Sequence, residues 1–143
     1  MLLTESGVTP SAVVADDHPA ILSKVAEILQ GKVSILATVP GGIPAVEAVM
    51  RLRPDLLILD IGMPDLNGIE VARSIRNRGL TTKIIFLTVE EDPGFVDAAR
   101  QAGASYVRKR KISTDLVTAI REELSGRRFI SYFNNDPRGL PES

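Results

Sequence analysis

The chain of 143 residues contains no cysteine and no tryptophan, and it has only one histidine. The lack of cysteine excludes disulfides, thiolate zinc sites and a cysteine nucleophile. A single histidine also excludes any metal site built from several imidazoles. Whatever chemistry the chain performs must therefore come from carboxylates, hydroxyls, amines and the backbone.

The sequence also lacks a strong charge bias and long apolar runs. Its net charge is −1 and its pI is about 5.8, so no global field favours nucleic acid or an anionic membrane. No apolar run reaches the roughly 18 residues that span a bilayer. The first ten residues, MLLTESGVTP, lack the basic region and apolar core of a secretory signal. We expect one domain in a reducing, cytoplasmic setting with no membrane partner.

Short apolar stretches alternate with helical patterns along the chain. Strands are predicted over 11–15, 32–39, 56–59, 83–88 and 105–109. Pro44 suits the first turn of a helix, Asn67 suits an N-cap, and Ser113 or Thr114 is predicted to cap the last helix. Five strands alternating with five helices predict a doubly wound α/β fold with helices on both faces of a parallel sheet, because right-handed crossovers place them there.

Polar residues stand where the predicted strands end. Asp16 and Asp17 follow the first strand, Asp60 follows the third, Thr88 ends the fourth and Lys109 ends the fifth. In a doubly wound sheet these strand ends meet at one rim, where ligands bind. Several carboxylates this close cannot all stay ionised unless a cation shares the site. Magnesium fits, because it is a hard ion that binds a few carboxylates, waters and a phosphate oxygen.

The same set of residues suits phosphoryl transfer. An aspartate can act as a nucleophile and form an aspartyl phosphate. Lys109 would add a fixed positive charge, and Thr88 would donate a hydrogen bond to the phosphoryl group. Since this reaction needs mainly positioning and charge neutralisation, the predicted rim supplies what it requires.

Four stretches in this order resemble the receiver domains of two-component response regulators. They are ADDHP, LLILDIGMP, IIFLT and GASYVRK. The resemblance covers about residues 11–125 and implies a flavodoxin-like fold of five parallel strands in the order 2-1-3-4-5. It leaves 1–10 as an N-terminal extension and 126–143 as a tail or the start of a linker. ADDHP and GRRFIS are most similar to the subfamily that joins a receiver to a LuxR-type helix-turn-helix output domain.

Carried over position by position, the resemblance implies that Asp60 accepts a phosphoryl group from a sensor histidine kinase. It implies that Asp16, Asp17 and Asp60 hold Mg2+, with the backbone carbonyl of Gly62 as a further ligand. Lys109 would neutralise the phosphoryl group. These roles are those of a phosphoacceptor rather than an enzyme, with only self-catalysed phosphotransfer and autodephosphorylation expected.

The resemblance also implies a switch. Thr88 would swing towards the phosphate and Tyr106 would turn inward behind it, reshaping the face formed by the fourth helix, fifth strand and fifth helix. The expected output is regulation of transcription, with homodimerisation on phosphorylation as an open alternative. DNA would be contacted only through an output domain that this chain does not contain.

Other functions are weighed against this interpretation. A pseudo-receiver that keeps the fold for protein contacts alone is the main alternative, and the complete acidic set disfavours it. A phosphatase with an aspartate nucleophile would carry a second aspartate two residues later, where Gly62 stands. A flavodoxin-like nucleotide or flavin protein would need a loop rich in glycine or hydroxyls after the first strand, which the sequence lacks.

Single residues have structural explanations as well. Asp17 is also expected to serve as the N-cap of the first helix, and Tyr106 is alternatively a half-exposed strand aromatic with no switching role. His18 is expected to be a packing or rim residue. The basic run 108–111 suggests a solvated strand edge rather than a nucleic-acid site, because alternate strand residues point opposite ways. The aromatic stretch RRFISYF either lacks order or packs on a neighbour.

Overall fold

The computed structural model of the protein describes residues 2–4, 7–89 and 93–131. In these ranges five parallel strands alternate with five α-helices. The strands are β1 Ser11–Ala15, β2 Ser34–Val39, β3 Leu56–Asp60, β4 Lys83–Thr88 and β5 Ser105–Arg108. The helices are α1 Pro19–Leu29, α2 Gly42–Leu52, α3 Gly68–Asn77, α4 Pro93–Gln101 and α5 Ile112–Leu124, and a 3-10 turn at Lys109–Lys111 joins β5 to α5.

The strands form one sheet in the order β2-β1-β3-β4-β5, which confirms the predicted fold. β1 lies between β2 and β3, so the chain reverses its direction of winding beside β1. Ala15 at the end of β1 is in register with Leu59 of β3. The residues that follow these two positions therefore meet at the switch in strand order, where open α/β sheets bind ligands.

Helices cover both faces of the sheet. α2, α3 and α4 pack on one face in an apolar cluster that includes Val46, Val71 and Val96. α1 and α5 pack on the other face, where Val25 and Leu116 join a second cluster. Every residue of β3 is buried. Its unbroken apolar run reflects this two-sided burial, which is typical of central parallel strands.

Two predicted helix signals are confirmed. Asn67 is the N-cap of α3, and its side chain accepts a hydrogen bond from the N–H of Glu70 at 3.0 Å. The Glu70 carboxylate in turn accepts from the N–H of Asn67 at 3.2 Å, which completes a capping box. Pro44 lies in the first turn of α2, where a missing N–H costs nothing.

Two predicted helix caps are wrong. α5 begins at Ile112, so Ser113 and Thr114 lie inside its first turn rather than before it. The chain enters this helix directly from the 3-10 turn, and the hydroxyl of Thr114 donates back to the carbonyl of Lys111 at 3.2 Å. α1 begins at Pro19, so His18 and not Asp17 takes the N-cap position.

The predicted strand ends differ from the structure by one or two residues. β2 begins at Ser34, and β3 runs on to include Asp60. β5 ends at Arg108 and turns at Lys109. The expectation of a solvated basic edge is therefore wrong for these last two residues, which are both buried, although Arg110 and Lys111 are exposed.

No helix in the described ranges is both long enough and apolar enough to span a bilayer.

Candidate functional site

Two buried carboxylates stand at the rim where β1 and β3 end. Asp16 directly follows β1, and its N–H donates to the carbonyl of Val39 at 3.0 Å, which extends the pairing with β2. Its side chain is fully buried. Asp60 is the last residue of β3 and is 5% exposed. The register of β1 and β3 thus brings both carboxylates to one place.

Lys109 lies between these carboxylates. Its Nζ is 2.8 Å from Oδ2 of Asp16 and 3.3 Å from Oδ2 of Asp60. Its side chain is only 6% exposed, so the attraction acts in a medium of low effective dielectric. Lys109 is the first residue of the 3-10 turn after β5, and its ammonium lies at the rim rather than at the strand edge.

Asp17 and His18 complete the polar cluster on its outer side. Nδ1 of His18 lies 2.9 Å from Oδ1 of Asp16 and 3.1 Å from Oδ1 of Asp17. The backbone N–H of His18 also donates to Asp16 Oδ1 at 2.8 Å, which fixes the tight turn after β1. The imidazole is largely exposed, so His18 is a rim residue, as one of the two predicted alternatives had it.

The cluster fits a divalent cation by its chemistry. Asp16, Asp17, His18 and Asp60 each offer a ligand atom, and these atoms lie within 4.8 Å of one another. When ionised, three carboxylates facing one ammonium leave an excess of negative charge. Carboxylate oxygens are the ligands that Mg2+ prefers. The exposed Gly62 donates its N–H to Asp60 Oδ1 at 3.1 Å, and the ligand role of its carbonyl stays a prediction.

The two predicted switch residues lie on the strands beyond Asp60. Thr88 is the last residue of β4 and is buried, and Asp60 is in register with the preceding Leu87. Tyr106 is fully buried in the apolar cluster that also holds Phe86 and Val96. The alternative of a half-exposed aromatic at Tyr106 is therefore wrong.

A carboxylate that sequence reasoning missed lies in the loop after Asp60. Asp65 accepts the N–H of Gly42 on Oδ1 and the N–H of Ile43 on Oδ2, both at 3.0 Å. It thereby caps α2, whose own N-cap residue Gly41 has no side chain to do so. These two backbone hydrogen bonds lower the pKa of Asp65, and the bond from Ile43 has the larger effect.

The glycines at the start of α2 permit this contact. A Cβ at Gly42 would lie 2.3 Å from the carbonyl oxygen of Leu66, closer than real atoms come. A Cβ at Gly41 would lie 2.9 Å from a carboxylate oxygen of Asp65. The two glycines of PGG, before a helix without a capping side chain, were the available signal, but they do not reveal which distant residue approaches.

A family model described as "Response regulator receiver domain" matches residues 12–121. The matched range contains the whole rim cluster and all five strands except Ser11, the first residue of β1. The chain belongs to the response regulator receiver domain family.

The receiver is similar, over most of its length, to proteins described as transcriptional regulators. It is 32% identical to the transcriptional regulatory protein YvfU of Bacillus subtilis over 121 residues, which are 82% of this chain and 60% of that protein. It is 29% identical to the DNA-binding transcriptional activator EvgA of Escherichia coli over 140 residues, which are 91% of this chain and 69% of that protein. The receiver thus spans only part of each of these regulators.

A solved structure shares the fold closely. The crystal structure of a LuxR-family two-component response regulator from an Aurantimonas species superposes with a TM-score of 0.79 at 28% identity. The match covers 86% of this chain and 89% of that one. The predicted relationship to response regulators of the LuxR family is confirmed.

Proposed function

We propose that this receiver accepts a phosphoryl group on Asp60 from a sensor histidine kinase. The observation that carries the proposal is the position of Lys109, whose Nζ lies 3.3 Å from Asp60 Oδ2 inside a cluster that has two further carboxylates. An aspartate that only ends a buried strand does not need a desolvated ammonium shared with Asp16. A phosphoacceptor needs this ammonium, because the phosphoryl group brings additional negative charge.

The transfer itself is a displacement at phosphorus. A carboxylate oxygen of Asp60 attacks the phosphorus of a phosphohistidine, an O–P bond forms, and the N–P bond of the donor breaks. The imidazole leaves and retains the electron pair of the broken bond. Lys109 balances the charge on the phosphoryl oxygens, and Thr88 supplies a hydroxyl from the next strand.

Asp16, Asp17 and Asp60 are the residues that would hold Mg2+, with the Gly62 carbonyl as a further ligand. The ion would supply Lewis-acid neutralisation of the phosphoryl oxygens. The tight cluster of carboxylate oxygens supports this assignment. Without a cation, the same carboxylates repel one another and compete for the ammonium of Lys109.

We also propose that phosphorylation changes the face formed by α4, β5 and α5. Thr88 would move towards the phosphoryl group, and the inward position of Tyr106 would be favoured. The burial of both side chains supports this role, because a switch in a packed core has few alternative arrangements. The names of YvfU and EvgA support regulation of transcription as the output, through a DNA-binding domain of the LuxR type, with dimerisation as one route.

Phosphorylation can be tested with a small phosphodonor. The receiver is incubated with Mg2+ and acetyl phosphate and weighed by intact mass spectrometry. We expect the mass of one added phosphoryl group, and no added mass when a chelator removes Mg2+ before acetyl phosphate is supplied. The same experiment with candidate phosphorylated histidine kinases identifies the physiological donor.

Two variants control this experiment. Asp60→Asn removes the nucleophilic oxygen and should show no added mass. Asp97→Asn changes an exposed carboxylate on α4 and should behave as the wild type. Absence of phosphate on the wild type, or equal addition to Asp60→Asn, would contradict the proposal and favour the pseudo-receiver.

A further inference from the structure

The outer edge of β5, on the side away from β4, is closed by a segment that follows α5. The N–H of Tyr106 donates to the carbonyl of Phe129 at 2.8 Å, and the carbonyl of Tyr106 accepts from the N–H of Ser131 at 2.9 Å. The N–H of Arg108 donates to the hydroxyl of Ser131 at 3.2 Å. Tyr106 and Ile130 form a parallel bridge. The segment thus continues the sheet for a few residues beyond β5.

Two serine hydroxyls fasten this edge to carboxylates of α5. Ser105 in β5 accepts the N–H of Phe129 at 2.9 Å and donates to the carboxylate of Glu123. Ser131 in the segment donates to Asp115 Oδ2 at 2.7 Å while it accepts the N–H of Arg108. Each hydroxyl therefore accepts a hydrogen bond from a backbone N–H and donates one to a carboxylate. Ser105 does this beside Phe129, and Ser131 does it at the end of the segment.

Side chains add to this attachment. Ile130 is buried in the same apolar cluster as Tyr106. Nη1 of Arg128 lies 3.6 Å from Oε1 of Glu123. Gly126, with φ +81°, connects α5 to the segment. Phe129 packs against the apolar cluster on the other face of the sheet. We call residues 128–131 the latch, because this short segment is joined to the domain by hydrogen bonds to β5 and by the side chains of Phe129 and Ile130.

The latch holds the strand that leads into the phosphorylation site. Arg108, whose N–H it binds, directly precedes Lys109, and Lys109 contacts both Asp16 and Asp60. On its other side Arg108 is in register with Thr88. The main chain at the end of β5 is therefore fixed between the latch and Thr88, which is expected to move towards the phosphoryl group.

We propose that the latch is docked while Asp60 is unmodified and loosens when Asp60 is phosphorylated. This inference rests on the proposed phosphorylation of Asp60. A phosphoryl group enlarges the anion between Asp60 and Lys109, so Lys109 and Thr88 shift to meet it. The end of β5 shifts with them, and the bond from Arg108 to Ser131 is the contact that this movement lengthens. The phosphorylation of Asp60 would thus be transmitted through the latch to the part of the chain that follows Ser131.

Hydrogen exchange on the whole chain tests the movement. Amide exchange is measured with Mg2+ alone and with Mg2+ plus acetyl phosphate, and intact mass reports phosphate in the same samples. We expect the amides of Tyr106 and Ser131 to exchange at least about tenfold faster in the phosphorylated protein. In Asp60→Asn neither amide should respond.

The outcomes separate the two proposals. Phosphate on Asp60 with unchanged exchange at both amides overturns the latch and leaves the phosphoacceptor function standing. A chain that takes up no phosphate overturns the phosphoacceptor function, and the latch falls with it. Faster exchange at both amides only when phosphate is present supports both.

Variants of Ser131 supply an independent readout. If phosphorylation loosens the latch, a latch weakened beforehand must favour phosphorylation, because coupling between two sites is reciprocal. Ser131→Ala should therefore raise the affinity for beryllofluoride, a reversible mimic of the phosphoryl group on Asp60, several-fold in the presence of Mg2+, and Ser131→Thr, which keeps the hydroxyl, should restore the wild-type affinity. Ser125→Ala is the matched control, because it removes an exposed hydroxyl at the end of α5, outside the latch, and should behave as the wild type. Equal beryllofluoride affinities of Ser131→Ala and wild type, with melting confirming a folded protein, would overturn the inference.

Discussion

The ammonium of Lys109 lies 3.3 Å from a carboxylate oxygen of Asp60, and both side chains are less than a tenth exposed. Replacing Lys109 by methionine keeps the length of the side chain but leaves buried carboxylates without a counter-charge. Breaking a buried ion pair by removing one partner typically costs about 3–5 kcal/mol. We expect Lys109→Met to lower the free energy of unfolding by about 3 kcal/mol at neutral pH, measured by urea denaturation.

Lys111→Met is the matched control, because Lys111 is exposed in the same turn. It should change the free energy of unfolding by less than about 0.5 kcal/mol. Added Mg2+ should restore part of the stability of Lys109→Met, since a cation then replaces the lost charge. Equal stability of the two variants would show that the ion pair is not a significant interaction.

Asp60→Asn should make the protein more stable rather than less. Asp16 and Asp60 compete for one ammonium, so removing the charge of Asp60 relieves repulsion while the amide keeps its shape. We expect a gain of roughly 1 kcal/mol in the free energy of unfolding without Mg2+, a gain typical of neutralised functional sites. Thermal melting of both proteins in a chelating buffer measures it, and a loss of stability would contradict the expectation.

Asp65→Ala should remove the cap of α2 and a pH-dependent contribution to stability. The pKa of Asp65 is lowered by the N–H groups of Ile43 and Gly42, so its stabilisation is present above the ordinary pKa of an aspartate. It is lost as the pH falls from that value through the lowered pKa. At neutral pH we expect a loss of about 1 kcal/mol, as for other helix caps.

Urea denaturation of Asp65→Ala and wild type at a series of pH values checks this. The difference in free energy of unfolding should shrink towards acid as Asp65 takes up a proton. A difference that is independent of pH would mean that the carboxylate charge does not contribute.

Gly42→Ala and Gly62→Ala should differ sharply although both glycines lie near the loop after β3. The added Cβ at Gly42 would meet the Leu66 carbonyl oxygen at 2.3 Å, and the backbone must move. At Gly62 the nearest atom would be 3.8 Å away, which is ordinary contact. We expect Gly42→Ala to cost at least about 2 kcal/mol and Gly62→Ala less than about 1 kcal/mol. Similar melting temperatures for both variants would contradict the close approach of the loop to α2.

Glu123→Gln should remove a loss of stability that occurs as the pH rises. Burial raises the pKa of Glu123, so the folded protein binds this proton more tightly than the unfolded chain does. A raised pKa contributes stability below the ordinary pKa of a glutamate, and this contribution is lost as the pH rises through the raised value. Urea denaturation between mildly acidic and neutral pH should show the wild type losing stability relative to Glu123→Gln. A difference that does not change with pH would contradict the raised pKa.

The sequence contained enough to predict the sheet and the centre of the rim. The apolar run of β3 ends in Asp60, and a short run of this kind is typical of a strand buried on both faces. The ends of parallel strands lie together, so Asp16 and Lys109 followed from their positions alone. Asn67 was recognisable because its capping box is a local signal.

What the sequence did not reveal depends on contacts between distant segments. Asp65 caps a helix that begins 23 residues earlier in the chain, and no local pattern links the two. Arg108 stands in a basic run that suggests solvent, yet it is buried where the chain after α5 returns to β5. Glu123 is a charged residue on an amphipathic helix, yet it is buried between Ser105 of β5 and Arg128 of the returning segment.

The return of residues 128–131 to β5 also has a consequence for self-association. An uncovered strand edge is a template on which another chain can add a strand, and sheets that lack protection there tend to aggregate. With the latch removed, the N–H and carbonyl of Tyr106 and the N–H of Arg108 would become such a template. A chain shortened at Gly126 would therefore be prone to polymerise along β5, so these few residues protect the sheet as well as complete it.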